Sequence, residues 1–220
     1  MLYTEEMVRM NIRNRDGSRV FYLAKEDTLT PGARDWLSRE RVRILDAAGA
    51  KPEEYRLLNG AVLREKPEHM THLHGDVLVH KTHPRIAFRG AMDTLEAALL
   101  MCGDSVREIL ELARRLIRCE VMDEPVGEFT LYGLTEAEQR KRSHFPQDYY
   151  GQPHFMPDFT DSAQLLQLNW ARCCARSAEL AAAAAFPDGQ RTDIQKTLNR
   201  MSSMLYILMI KEKGKFKSSP

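Results

Sequence analysis

Over the last two-thirds of the chain, apolar residues recur at helical spacing. Val106, Ile109, Leu110, Ala113, Leu116 and Ile117 step by threes and fours, which puts them on one stripe of a helix begun at Asp104 or Ser105. Before it, Thr94 to Cys102 reads as an apolar helix segment that Gly103 interrupts. Two long helices close the chain. One runs from Ser162 to Phe186, rich in Ala and Leu, and stops at Pro187-Asp188-Gly189. The other runs from Thr192 to about Lys213 and turns Ile194, Leu198, Met201, Leu205 and Leu208 inward. TEAEQRKRSH predicts a short exposed helix, and residues 122–134 a loop. FPQDYYGQPHFMPDFTD holds three prolines and predicts irregular structure, while its five aromatic rings argue for an ordered, functional loop. Antiparallel helices of this length form a bundle.

The first third alternates differently. Thr4 caps a short helix in TEEMVRMNI, and RVFYLA is a strand. Thr30 caps a helix with Pro31 at its first position, followed by a short strand, Val42 to Leu45. KPEEYRLLNGAVLREKPEH is polar, broken by Pro52, Gly60 and Pro67, and reads as a linker. The expectation is a small mixed α/β appendage over 1–66 and a mainly α bundle over 67–220.

Composition narrows the function classes. Lys and Arg (32) nearly cancel Asp and Glu (31), which disfavours a nucleic-acid partner. No stretch approaches the roughly 20 apolar residues of a membrane span, and the N-terminus lacks a secretory apolar core. Cys102, Cys119, Cys173 and Cys174 show no framework spacing, so reduced thiols and a cytoplasmic location are expected.

Three constellations carry candidate chemistry. Arg172, Arg176 and Glu179 share a helix face with Leu165 and Asn169. That face is either a solvated one with surface salt bridges or a pair of cationic forks for phosphate oxygens. Asn199-Arg200 on the last helix offers an amide donor and acceptor to a ligand, or to a neighbouring helix. Five of the seven histidines fall between His69 and His83. His69, His72 and His74 lack the spacing of a diagnostic metal site, and the same stretch reads equally as a phosphate-binding turn at Gly75-Asp76 with Lys81 and Arg85 nearby. No Glu is followed three residues later by His, so the di-iron carboxylate signature of ferritin-type oxidases is absent.

In order and spacing, THLHGDV, RGAMDTLEA, LNWARCCARSAEL and LNRMSSMLYIL resemble four motifs of the corrinoid adenosyltransferases. The likeness runs from about Thr71 to Lys213, and TPGARDWLSRERVRI adds a resemblance to the ethanolamine-utilisation branch rather than the propanediol-utilisation one. It implies a five-helix up-and-down, ferritin-like bundle that forms a homotrimer with ATP between subunits. It further implies that reduced cobalt of cob(I)alamin displaces the phosphate chain of ATP at the 5′ carbon. Carried over by motif, Thr71, Gly75, Asp76 and Lys81 meet the triphosphate with Mg²⁺. Arg176 holds phosphate oxygens, Glu179 and Asn199 complete the nucleotide site, and Asp93 pairs with Arg172 across subunits. An apolar wall excludes the lower cobalt ligand, with Phe155 as candidate and Phe145 and Phe159 as substitutes. The pathway suggests a reductase or adenosylcobalamin-dependent lyase as partner and a bacterial microcompartment as setting. His74, Ser177 and Leu180 depart from the family pattern. These departures leave a catalytically weak corrinoid or nucleotide carrier as the rival function. The His-x11-Cys-Cys-x-x-Cys metal motif of some members is missing after His69, so no transition metal is expected.

Overall fold

The computed structural model describes residues 1–15, 18–47 and 54–217. They form two compact units, Met1–His80 and Lys81–Pro220.

The N-terminal unit opens with β1 (Leu2–Tyr3), α1 (Glu5–Met10), β2 (Arg13–Arg15), β3 (Ser18–Leu23), β4 (Thr28–Leu29), α2 (Pro31–Arg39) and β5 (Arg43–Asp46). Thr4 and Thr30 accept the expected capping hydrogen bonds, from the amides of Met7 and Ala33. Val8, Phe21, Ala33, Trp36 and Leu37 make a small core, with Arg9 and Arg19 over the Trp36 ring at 5.2 and 5.5 Å. The expected linker is partly structured. β6 (Tyr55–Leu57) and β7 (Val62–Leu63) join β8 (Met70–His74) and β9 (Val77–His80) in a four-stranded sheet of order β7-β6-β9-β8. Short strands separated by polar turns look like a linker locally, because their partners lie at other places in the sequence. Residue 66 lies between β7 and β8.

The second unit is mainly helical: α3 (Pro84–Met101), α4 (Arg107–Met122), the hairpin β10 (Thr130–Leu131) and β11 (Leu134–Thr135), α5 (Glu136–His144), α6 (Pro146–Tyr150), α7 (Ala163–Ala185) and α8 (Thr192–Lys217). α7 packs along both α3 and α8, α5 docks on α8, and α4 lies against α3. Ala171, Ala175, Ala178 and Ala182, all fully buried, recur by fours and threes on α7 and let its backbone approach its neighbours closely. Val106, Ile109, Ala113 and Leu116 are buried as their spacing requires. Ser162 caps α7 by accepting from the Leu165 amide at 3.2 Å. No helix among the described residues is long and apolar enough to cross a membrane.

Four local expectations need correction. α3 begins ten residues before Thr94, because Pro84 stands at its first position and His83 accepts the Arg85 amide at 3.2 Å. α4 has no side-chain cap; a 3-10 turn, Gly103–Val106, feeds it, and Asp104 pairs with Arg107 instead. Part of the proline-rich segment is regular, since Pro146 starts α6 and Gly151, at φ +62°, ends it. Leu208 is only half-buried, whereas Met204, Ile207, Met209 and Ile210 are fully buried, so α8 is enclosed around most of its girth.

Candidate functional site

The expected site residues fall in both units. In the N-terminal unit, Thr71 lies on β8 opposite Val79, and the chain reverses through Gly75-Asp76 between His74 and Val77. Gly75 sits at φ +50°, where a residue without Cβ avoids strain. Asp76 is not free for a ligand: its carboxylate pairs with Arg56 at 3.2 Å, and its carbonyl accepts the Arg56 amide at 3.0 Å. His72 Nδ1 lies 3.1 Å from the Gly75 carbonyl, and the His69 and His80 rings lie 5.2 Å apart. Among the described residues, no group of three or more His, Cys, Asp or Glu side chains gathers to hold a metal.

In the helical unit, Glu179 on α7 meets Asn199 on α8, and Arg172 and Arg176 precede Glu179 on α7 at positions i−7 and i−3. Arg172 donates through Nε and Nη2 to Asn169 Oδ1 at 3.3 and 3.0 Å. Glu179, half-buried, accepts from Asn199 Nδ2 at 3.0 Å. Arg200 Nη2 donates to Asn199 Oδ1, so both ends of that amide are engaged. Arg176 is exposed and has no hydrogen-bond or ion-pair partner among the described residues. The surface salt bridge to Glu179 that its spacing allowed therefore does not form. On α3, Asp93 is likewise exposed and unpaired among the described residues, and Lys81 is exposed just before α3. A cavity of about 200 Å³ between α3 and α7 is lined by Ala91, Thr94, Trp170, Cys173, Cys174 and Ser177. It lacks charge and is smaller than the roughly 300–1,000 Å³ of an ordinary small-molecule site.

The 151–162 loop is tied down at several points. His154 Nδ1 lies 2.9 Å from the Tyr206 hydroxyl and its Nε2 3.1 Å from the His144 carbonyl, so a neutral ring accepts at Nδ1 and donates at Nε2. Phe155 stacks on Tyr206 at 6.0 Å with Lys213 Nζ 5.6 Å from its ring centre, and Lys213 also pairs with Asp161. Phe155 is thus half-buried against α8, while Phe159 (89% exposed), Met156 (88%) and Phe145 (55%) stand open.

With that arrangement in view, the profile of the cobalamin adenosyltransferases matches residues 61–212. The chain belongs to the cobalamin adenosyltransferase family. It is 29% identical to the corrinoid adenosyltransferase EutT of Salmonella typhimurium strain LT2, over 94% of this chain and 90% of the relative. It is 26% identical to the proteins of the same name from Escherichia coli K12 and O6:H1, with the same coverage. No solved structure gives a significant match.

Within this adenosyltransferase, sequence reasoning passed over three features. Glu120, fully buried on α4, receives Arg85 Nε and Arg89 Nε at 2.7 Å each. His154 and Tyr206 meet across 52 residues, a contact no local pattern signals. Arg200 was visible beside Asn199, but its burial was not, because a charged residue flanking an apolar stripe ordinarily reaches solvent.

Proposed function

We propose that this protein transfers the 5′-deoxyadenosyl group of ATP to cob(I)alamin, supplying adenosylcobalamin for ethanolamine breakdown. The observation that carries the reading is Arg176: an unpaired guanidinium one helical turn from Arg172, beside a Glu179–Asn199 pair already locked together. A cationic fork left without a partner on a packed helix suits polyphosphate oxygens.

In the reaction, the cobalt lone pair forms the bond to the 5′ carbon while the carbon–oxygen bond breaks and the phosphate chain leaves with its electrons. No acid or base is needed, so the protein contributes positioning and charge stabilisation. Arg176 and Lys81 neutralise the departing phosphates; in the N-terminal unit, the β8–β9 turn with Thr71, Gly75 and Asp76 is a separate candidate for binding phosphate. Opening the Arg56–Asp76 pair, exposed on both sides, costs little. Mg²⁺ bound with ATP would add positive charge at the phosphates that Arg176 and Lys81 meet. Glu179 and Asn199 fix the nucleoside. Phe155, braced on Tyr206, forms with Phe159 and Met156 the apolar wall that keeps water from cobalt.

We further propose that α3, α4, α5, α7 and α8 make up the five-helix bundle and that three copies assemble, with Asp93 of one meeting Arg172 of the next. The exposure of Asp93 and the small size of the α3–α7 cavity support a site completed by a neighbour. The enzyme acts in the cytoplasm, beside a corrinoid reductase or the lyase that consumes its product and within reach of a microcompartment.

Arg176→Ala tests the reading. Mixed anaerobically with ATP and reduced corrinoid, the parent protein is expected to consume the Co(I) spectrum, and the variant to do so at least ~100-fold more slowly at unchanged fold, the scale of losing one transition-state donor. Undiminished turnover by the variant refutes the role of Arg176. ATP and corrinoid binding without turnover by the parent identifies a carrier instead.

A further inference from the structure

We propose that Arg200 is a positioning residue for nucleotide binding, fixing the amide of Asn199 through the chain Arg200–Asn199–Glu179. The inference rests on the reading above, in which Asn199 and Glu179 face the nucleotide.

Arg200 is 9% exposed, on a helix whose neighbouring positions Leu198, Met201 and Met204 are fully buried. Its Nη2 donates to Asn199 Oδ1, and Asn199 Nδ2 donates to Glu179 Oε1 at 3.0 Å. Its Nε is buried without any hydrogen-bond partner. Burial, then the nearby charge of Arg140, pull its pKa below the ordinary arginine value, while Glu136 and Glu179 oppose them. Such a group is a poor source of stability, because an apolar side chain of similar volume commonly fills a buried ionic position at no loss. What it supplies is direction. Arginine can only donate and a carboxylate can only accept, so the amide oxygen must face Arg200 and the amide nitrogen must face Glu179.

With both ends held, Asn199 keeps one rotamer and presents one N–H and one lone pair in fixed directions. Without Arg200 the acceptor end is released, and the amide turns about its side-chain bonds with only Glu179 to restrain it. Binding then includes the cost of ordering that side chain again. The loss falls on nucleotide affinity rather than on the corrinoid.

The test uses full-length Arg200→Met, Arg200→Lys and Asn199→Ala, with fold checked by circular dichroism, and measures kcat and KM for each substrate. Arg200→Met is expected to raise KM for ATP about tenfold, the scale of one charge-assisted hydrogen bond, and to leave KM for cob(I)alamin within about twofold. Arg200→Lys, which retains a donor, recovers part of the loss and provides the comparison should the methionine variant fail to fold. Combining Arg200→Met with Asn199→Ala adds nothing to Asn199→Ala alone. If Asn199→Ala raises KM for ATP while both Arg200 variants leave it unchanged, Arg200 is packing only and the inference is overturned. If Asn199→Ala itself leaves ATP binding intact, the inference fails together with the nucleotide role of Asn199.

Discussion

Removing the Glu120 carboxylate should unfold the helical unit early. Glu120 is fully buried, and Arg85 and Arg89, each 19% exposed, hold it from the first turns of α3. Arg85 also donates to the Glu120 carbonyl at 3.1 Å, and its guanidinium lies 5.4 Å from the Phe186 ring centre. Glu120→Ala therefore removes the carboxylate that both cations share where the start of α3 meets the end of α4. Breaking a buried ion pair by deleting one partner costs about 3–5 kcal/mol. The residual exposure of both arginines lets water reach them and argues for the lower end, about 3 kcal/mol. In a chain of this size that loss lowers the melting temperature by about 6–12 °C. Circular dichroism at 222 nm, at matched protein concentration, measures it. Replacing all three residues by apolar ones, Glu120→Leu with Arg85→Met and Arg89→Met, should restore most of the stability because the cations are removed together with the carboxylate they share. A Glu120→Ala protein that melts within about 2 °C of the parent would refute the reasoning, since the cluster would then contribute nothing net.

Burial alone would raise the pKa of Asp193, but the Arg191 guanidinium and the Val126 amide together hold it below the usual carboxylate value. A lowered folded-state pKa stabilises above the unfolded value near 3.8, and that stability is lost as pH falls through the folded one. The urea midpoint of Asp193→Asn should therefore lie below that of the parent at pH 7, with the gap narrowing as pH falls below about 3.8; a gap independent of pH contradicts the pairing. Burial, with Cys174 nearby, pushes the Cys102 thiol up to about 11, leaving thiolate on the order of one part in a thousand at pH 8. Iodoacetamide should accordingly label half-buried Cys173 first and Cys102 only after unfolding, and peptide mass spectrometry showing the reverse order would remove this account. Asp93→Arg and Arg172→Asp should each shift the assembly toward smaller species by sedimentation, with an affinity loss of about 10–100-fold, and the double reversal should recover part of it. Failure of either single change to alter the assembly excludes the pair from the interface.

The sequence by itself determined whatever depends on near neighbours along the chain. Thr4, Thr30 and Ser162 cap helices because a side-chain oxygen needs only an amide three residues on. α7 and α8 were legible from apolar spacing, and the family from four ordered motifs that the profile match covers. Tertiary structure decided everything that depends on partners far apart in sequence. It turned a polar stretch into β6 and β7, because strands are completed by their neighbours in a sheet. It committed Phe155 to Tyr206 and left Phe159 open, although both rings sit in the same irregular segment. It gave Glu120 two arginines from 31 and 35 residues away, and it set Arg200 inside the bundle while leaving Arg176 outside. Periodicity fixes which face of a helix is apolar, but only the packed neighbours determine whether a charge at the edge of that face meets water, a carboxylate or an amide.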